Sequence, residues 1–270
     1  MRHRFKANAD GRLDKLIAEN TKLSRKRAKT LIKRGGVRVD GQVEKREGFR
    51  TPEGAVVELR TTAISVAVKI VDVWRDKSLL VVIKPSGLAS QPTRNGEQRH
   101  LYGALMAREG YIGLHHRLDT PASGLILVTL DRNLNRPISE ALQSGGIERR
   151  YRVAVIGDPG PSGKWTAPIN GKPAQTHWTR LSCDGHASVL DVTLGTGRTH
   201  QIRRHASDAG HPVLGDRRHG GAAGRAWERL ALHAWRLSFT HPLTNEPITV
   251  TAPLPPDLTD LFDQLGYSEE

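Results

Sequence analysis

The sequence predicts an α+β protein made of two modules: a small basic α/β module in front, and a larger module with a mainly antiparallel β-sheet carrying helices. Three observations predict this. The 270 residues hold 41 Lys+Arg against 28 Asp+Glu, a net charge of +13, but residues 1–60 alone hold 17 and 8, leaving 24 and 20 for the rest. A net +9 in under a quarter of the chain marks a separate basic module. Beyond residue 75 apolar strand patterns outnumber helical ones and do not alternate with them regularly, which disfavours a doubly wound parallel sheet. Finally, a chain that is 37% hydrophobic and 26% charged can bury a core.

The same composition excludes several classes. No run approaches the roughly 20 apolar residues of a membrane span, and the most apolar stretch, Ala63 to Trp74, is broken by Lys69 and Asp72. The basic start Met1-Arg2-His3-Arg4-Phe5-Lys6 lacks a following apolar stretch, so a secretory leader is not expected. Cys183 is the only cysteine, which excludes an intrachain disulfide or a multi-cysteine zinc site and fits a reducing cytoplasm. A pI near 10.3 points to a polyanionic partner.

In the front module, Leu13, Leu16 and Ile17 predict a helix over Arg12 to Glu19, with Asp10 as its candidate N-cap. Ser24 caps a second helix with Ala28, Leu31 and Ile32 as its stripe, ended by Gly35-Gly36. Val37-Arg38-Val39, the Asp40-Gly41 turn and Val43 read as a hairpin, and Val56 and Leu59 as a further strand. The second helix region carries Lys22, Arg25, Lys26, Arg27, Lys29, Lys33 and Arg34 and no acid. Such a face suits a phosphate backbone, although a charge run is more often only a solvated face.

Residues 61–74 form a linker running into the first strand of the larger module, which spans 75–270. Strands are expected at Leu79–Ile83, Gly124–Leu130, Tyr151–Gly157, His177–Cys183, Ala187–Leu194, Leu237–Phe239 and Ile248–Thr251. Helices are expected at Leu101–Arg108, at Pro137–Gln143 before Gly145-Gly146, and at Gln201–Asp208 before Gly210. The sequence contains no G-x-x-x-x-G-K-S/T, G-x-G-x-x-G or G-x-S-x-G, so nucleotide hydrolysis, dinucleotide redox chemistry and a hydrolase elbow lose their warrants.

Three polar clusters remain. His115 to Gly124 holds Arg117 and Asp119 before an apolar run; Arg149-Arg150-Tyr151 opens a strand; Gly195 to His205 leads two glycines into a helix bearing His200 and Arg203. Taken singly, they read as a structural ion pair, a strand tyrosine and a helix-start anion site.

Together the clusters carry a resemblance. His116-Arg117-Leu118-Asp119 with Ser123-Gly124-Leu125, then Tyr151 after its basic pair, then Gly197-Arg198-Thr199-His200-Gln201-Ile202-Arg203, follow the order of the RluA-type pseudouridine synthases. His211-Pro212-Val213-Leu214-Gly215-Asp216, Leu230-x-Leu232-His233-Ala234 and Ala252-Pro253-Leu254-Pro255 extend it over about residues 70–256. Arg12-Leu13-Asp14-Lys15-Leu16, Ser24 to Ala28, Leu31 to Gly35 and Val37 to Gly41 resemble the small RNA-binding domain first seen in ribosomal protein S-four, over about residues 11–60.

The resemblance implies a central cleft in which uridine in structured RNA is flipped out and isomerised to pseudouridine, with the uracil detached, turned and rejoined through carbon five. Bond count is conserved, so no cofactor and no metal are implied. Asp119 matches the essential aspartate, able to act as nucleophile or to stabilise an electron-poor sugar. Arg203 matches its arginine partner, which favours the ionised carboxylate. Arg198, the second candidate for that pairing, is assigned with His200 to RNA. Tyr151 matches the tyrosine that stacks on the target base, and Arg117 the residue that enters the space left by the flipped base. Arg25, Lys26, Lys29, Lys33 and Arg34 are the expected phosphate contacts of the front domain. Where the family has Arg-x-Thr-Ser-Gly after the aspartate, this chain has Thr120-Pro121-Ala122-Ser123-Gly124, which puts substrate identity more in doubt than reaction class.

The expected partner is structured RNA, ribosomal RNA favoured over transfer RNA, with no DNA and no membrane, for a cytoplasmic monomer. One rival is a non-catalytic RNA-binding or ribosome-assembly protein that retains the fold, against which Asp119, Tyr151 and Arg203 stand. The other is a metal-dependent RNA hydrolase using His115, His116, His200, His205 and His211, which have no cysteine partner.

Overall fold

Apolar residues four apart in both front helices, and two apart in the strands that follow, close a small core around one sheet. The computed structural model describes residues 2–21, 23–33, 35–60, 70–92, 100–225 and 227–268; Lys22, Arg34 and the connection at 61–69 lie outside the described residues. The chain divides into two compact units, Met1–Val68 and Lys69–Glu270.

The first unit runs β1 (Arg2–Lys6), β2 (Gly11–Arg12), α1 (Leu13–Asn20), α2 (Arg25–Lys33), β3 (Val37–Val39), β4 (Gln42–Val43), β5 (Arg50–Thr51) and β6 (Val56–Arg60). Its antiparallel sheet has the order β1-β6-β3-β4, and β2 pairs with β5. Leu13 and Ile17 of α1 and Ala28 and Ile32 of α2 pack on Val37, Val39, Val57 and Leu59. Ser24 Oγ accepts the Arg27 amide at 3.4 Å, and the Gly36 amide closes α2 on the Leu31 carbonyl. Asp10 does not cap α1: Arg12 takes that position without a side-chain bond, and the Asp10 carboxylate accepts the Glu53 amide instead. Two residues separate Asp10 from the helix, too many for its oxygen to meet the first-turn amides. Strand β1, at the start of the chain, was not foreseen.

The second unit runs β7 (Val71–Arg75), β8 (Leu79–Lys84), α3 (Leu101–Glu109), β9 (Gly113–Leu114), β10 (Ser123–Thr129), α4 (Asn135–Ser144), β11 (Ile147–Ile156), β12 (Ser162–Trp165), β13 (Thr176–Cys183), β14 (Ala187–Leu194), α5 (Gln201–Asp208), β15 (Leu232–Thr240), β16 (Pro247–Thr251) and α6 (Pro256–Gln264). One ten-stranded sheet has the order β12-β13-β14-β11-β15-β10-β8-β7, with β16 on β15 and β9 on β10. Its described pairings are antiparallel except that of β10 with β15, which is parallel through Ser123↔His233 and Gly124↔Ala234. The fold is thus the mixed, mainly antiparallel α+β arrangement expected.

The central strands are buried on both faces, which is why they read as unbroken apolar runs. Leu80, Val82, Ile126 and Val128 join a cluster with Leu101 and Leu105 of α3 and Leu258, Leu261 and Phe262 of α6. Leu79, Val81, Leu125 and Leu127 face the other way, onto Leu134 and Ile138. Strand β11 begins at Ile147, four residues before the sequence expectation, because the polar run Glu148-Arg149-Arg150 is ladder-paired to β15. Helix α6 was not foreseen, although Leu258, Leu261 and Phe262 have helical spacing.

Candidate active site

Asp119 lies in the loop between β9 and β10, and three local devices hold that loop. Lys84, fully buried at the end of β8, donates to the carbonyls of Ala122 (2.6 Å), Leu88 (2.8 Å), Pro85 (2.9 Å) and Thr120 (3.3 Å). Burial draws its ammonium pKa down to about 7, with the charge of Asp119 opposing the shift and that of Arg229 adding to it; the four carbonyls are shared among the three protons of the charged form. Ser90 Oγ donates to the Leu118 carbonyl and accepts its amide, at 2.7 and 3.1 Å. Gly124 then crosses onto β15 at φ +119, where a Cβ would stand 2.3 Å from the Ala234 carbonyl oxygen. Only a residue without a side chain permits that approach.

The two departures from the family pattern fall inside this scaffold. Thr120 and Ala122 meet Lys84 through backbone carbonyls, and Thr120 O also accepts the Gly87 amide at 2.8 Å. These contacts do not depend on which side chains stand at 120 and 122.

Arg203 projects from α5 and donates to Asp119 Oδ2 at 2.8 Å. Its other guanidinium nitrogens donate to both oxygens of Asp216, at 2.8 and 2.7 Å. Asp216 Oδ1 also accepts the amides of Arg218 and His219, each at 3.0 Å. Burial opposes ionisation of Asp216, but the Arg203 bonds and these amides outweigh it, and its carboxyl sits below the ordinary value. Arg198 does not meet Asp119; it donates to the Pro173 carbonyl at 3.1 Å.

His200, in a left-handed conformation (φ 56, ψ 30), opens α5. Its Nε2 stands 3.7 Å from Asp119 Oδ1, and its Nδ1 shares a hydrogen bond with His219 Nε2 at 2.8 Å. Burial lowers the His200 pKa, Asp119 opposing this while Arg203, Arg218 and His219 add to it.

A cleft of about 760 Å³ opens over Asp119, lined also by Arg117, Arg149, Tyr151, Arg198 and His200. Tyr151 is buried in β11 beside a register shift against β15, a device that re-aims side chains near active sites. Burial raises its hydroxyl pKa, Arg149 acting against that and Asp119 with it. Arg117, exposed, donates to Thr199 Oγ1 at 3.0 Å across the cleft mouth. His116 is fixed neutral: its Nε2 accepts the Leu127 amide at 2.9 Å, and desolvation, with Arg149 and His115, pulls its pKa to about 3.

On α2 the cations divide. Arg25 donates to the buried Asp14 carboxylate at 3.0 Å, Lys29 lies 3.8 Å from both Asp14 and Glu47, and Lys33 pairs with Glu47. Lys26 and Arg27 are exposed and form no ion pair among the described residues.

In the sequence Arg149 stands in one of the three clusters without a role of its own, Asp216 is part of a turn, and Lys84 and His219 carry no site assignment. A lysine closing a fully apolar strand was a usable signal for Lys84, since a buried ammonium requires acceptors.

A family model described as RNA pseudouridylate synthase matches residues 78–208, and one described as S4 domain matches residues 11–57. The ribosomal large subunit pseudouridine synthase D of Xanthomonas campestris pv. campestris is 30% identical over 296 residues, covering 95% of this chain and 89% of that protein. Its namesake in Vibrio vulnificus is 32% identical, covering 94% and 90%. The structure of human RNA pseudouridylate synthase domain containing 4 shares the fold, with a TM-score of 0.61 at 20% identity over 72% of this chain and 92% of that one. The chain belongs to the RNA pseudouridine synthase family and is an isomerase of uridine in RNA. Its front unit is an S4 domain.

Proposed function

We propose that the protein isomerises uridines of structured ribosomal RNA, in preference to transfer RNA, by flipping the base into the cleft over Asp119. The observation that carries this reading is the Asp119 carboxylate held by Arg203 at 2.8 Å on the wall of a cleft that Tyr151 shares. Asp119 takes up or stabilises the sugar carbon when the glycosidic bond breaks, and Arg203 holds its carboxylate in place by a hydrogen bond. Tyr151 offers its ring to the base. Arg117, at the cleft mouth, fills the stack that the base has left, offsetting a few kcal/mol of lost stacking. Arg198 and His200 meet the RNA at the rim, His200 close to Asp119 as well. Residues 1–60 act as a domain that anchors RNA phosphates through α2, with 61–74 as its connection to the catalytic domain at 75–270.

The preference for ribosomal RNA is supported by the names of the relatives and by the basic front unit. A ribosomal RNA substrate would put the enzyme in the cytoplasm, as a monomer that needs no cofactor. The test is tritium release from position-five-labelled uridine in ribosomal and transfer RNA fractions. Release is expected from ribosomal RNA, and Asp119→Ala should abolish it with RNA affinity nearly unchanged. Release from transfer RNA alone would overturn the substrate assignment, and an active Asp119→Ala variant the mechanism.

A further inference from the structure

Arg149 is 8% exposed and lines the cleft, yet it makes no hydrogen bond or ion pair among the described residues, and its Nε is buried without a partner. Other arginines nearby are engaged: Arg203 with Asp119 and Asp216, Arg150 and Arg152 with Asp191, Arg229 with Asp257 and Ser123; Arg236, opposite Arg150 in the ladder, shares the buried unpartnered Nε but does not line the cleft. A buried guanidinium lacking a counter-charge is costly unless an anion arrives to meet it. The chain also leaves it room: Gly197 lies against the guanidinium, and a Cβ there would come within 3.1 Å of Nη1. Arg149 and Tyr151 are two residues apart on β11 and both reach the cleft, whereas Arg150 between them is turned to Asp191.

The reaction supplies one anion at that place. When the N1–C1′ bond breaks, its electron pair stays on the base. The uracil leaves as a monoanion, with charge on N1 and the carbonyl oxygens, whether C1′ bonds to an Asp119 oxygen or stands beside it as a cation. If C1′ bonds to Asp119, the negative charge of Asp119 passes to the base; if C1′ stands as a cation, Asp119 stays charged and the cation balances the base. Bonding of carbon five to C1′ then consumes the base anion, breaking the C1′–Asp119 bond and returning its electron pair to the carboxylate where that bond had formed; the proton then lost from carbon five and the proton gained at N1 balance. Arg203, committed to two carboxylates, is not free to follow the charge. We propose that Arg149 is the cation that binds the detached uracil anion, stabilising the departing base and holding it in the cleft while it turns. The inference rests on the Asp119 reading above.

The test compares full-length wild type, Arg149→Gln and Arg149→Lys on RNA carrying either uridine or 5-fluorouridine. It follows loss of each nucleoside in digests after single turnover, with RNA affinity measured in parallel. Removing one preorganised donor to a developing anion should cost about 100-fold in rate, with affinity unchanged and Arg149→Lys intermediate. Fluorine makes the leaving base more acidic, so the loss should shrink on 5-fluorouridine. Both substrates meet the same preparation, so a partly unfolded variant lowers both rates equally and cannot produce that difference. Equal losses on the two bases would overturn the proposal. So would a wild-type rate, or a loss confined to affinity with a salt slope reduced by about 0.7–0.9, the mark of a phosphate-binding cation. If Asp119→Ala proved active, the Asp119 reading would fall whatever the Arg149 variants did; if wild type and Asp119→Ala behave as expected and Arg149→Gln does not, only this inference falls.

Discussion

Arg203 gives two of its hydrogen bonds to Asp216 and one to Asp119. The bidentate partner is the fully buried carboxylate, and the single bond goes to the one facing the cleft. Asp216 fixes the plane of the guanidinium and Asp119 uses what remains.

Two variants should therefore separate what their wild-type partners do. Asp119→Ala leaves Arg203 paired, so it should melt like wild type while being inactive. Asp216→Ala leaves a buried guanidinium half-paired, which typically costs about 3–5 kcal/mol, and the freed arginine should lower turnover as well. Thermal melts and tritium release on the same preparations check both. Because the Asp216 pKa is lowered on folding, its stabilisation is present above the unfolded carboxyl value and is lost as pH falls through the folded one.

A second pH dependence comes from His233. Its Nδ1 lies 2.8 Å from Ser123 Oγ, which in turn accepts a bond from Arg229 at 2.8 Å. A neutral ring with a free Nδ1 accepts the hydroxyl proton here. Burial, followed by the charge of Arg229, lowers the His233 pKa to about 4. The unfolded chain binds this proton below about 6.5 and the folded one below about 4, so stability should drop as pH is lowered through that window, by up to about 1.4 kcal/mol per unit. Urea titrations at several pH values should show the slope, and His233→Gln should flatten it.

The division of cations on α2 predicts unequal salt effects. Lys26 and Arg27 are exposed and form no ion pair among the described residues, whereas Lys33 is held by Glu47. Lys26→Ala with Arg27→Ala should reduce the slope of log affinity against log salt by roughly 0.7–0.9 for each phosphate no longer neutralised. Lys33→Ala should reduce it less. Equilibrium binding at a series of salt concentrations tests the order.

Lys84→Met should loosen the Asp119 loop without touching substrate. Four carbonyls lose their shared donor, at about 1–3 kcal/mol for a buried group left unsatisfied. Turnover should fall while RNA affinity holds, as single-turnover and equilibrium binding measurements would show.

Much of this was legible in the sequence because it is local. Helical spacing in α1, α2 and α5, the Ser24 cap and the Asp40-Gly41 turn each fit within a few residues. The site clusters around Asp119, Tyr151 and Arg203 could be singled out by resemblance, but their joining could not be read from spacing, since Arg203 reaches Asp119 across 84 positions. The choice between Arg198, in the loop before α5, and Arg203, on α5, rested on the resemblance, because residue type does not encode which arginine reaches Asp119. Lys84 was hidden because its partners are backbone carbonyls, present at every position and thus silent in a sequence. Helix α6 had a readable stripe that went unread, and Asp10 misled because aspartate suits caps and turns equally well.

Gly124 extends this point to mutational tolerance. It has no side chain and takes no part in the chemistry, yet a methyl group there would meet the Ala234 backbone and force apart the strand junction that anchors the Asp119 loop. In a saturation screen for activity, position 124 should be as intolerant as position 119. Ranking residues by how badly replacement is borne would place a silent hinge of the scaffold beside Asp119, and only an assay of folding beside activity would tell them apart.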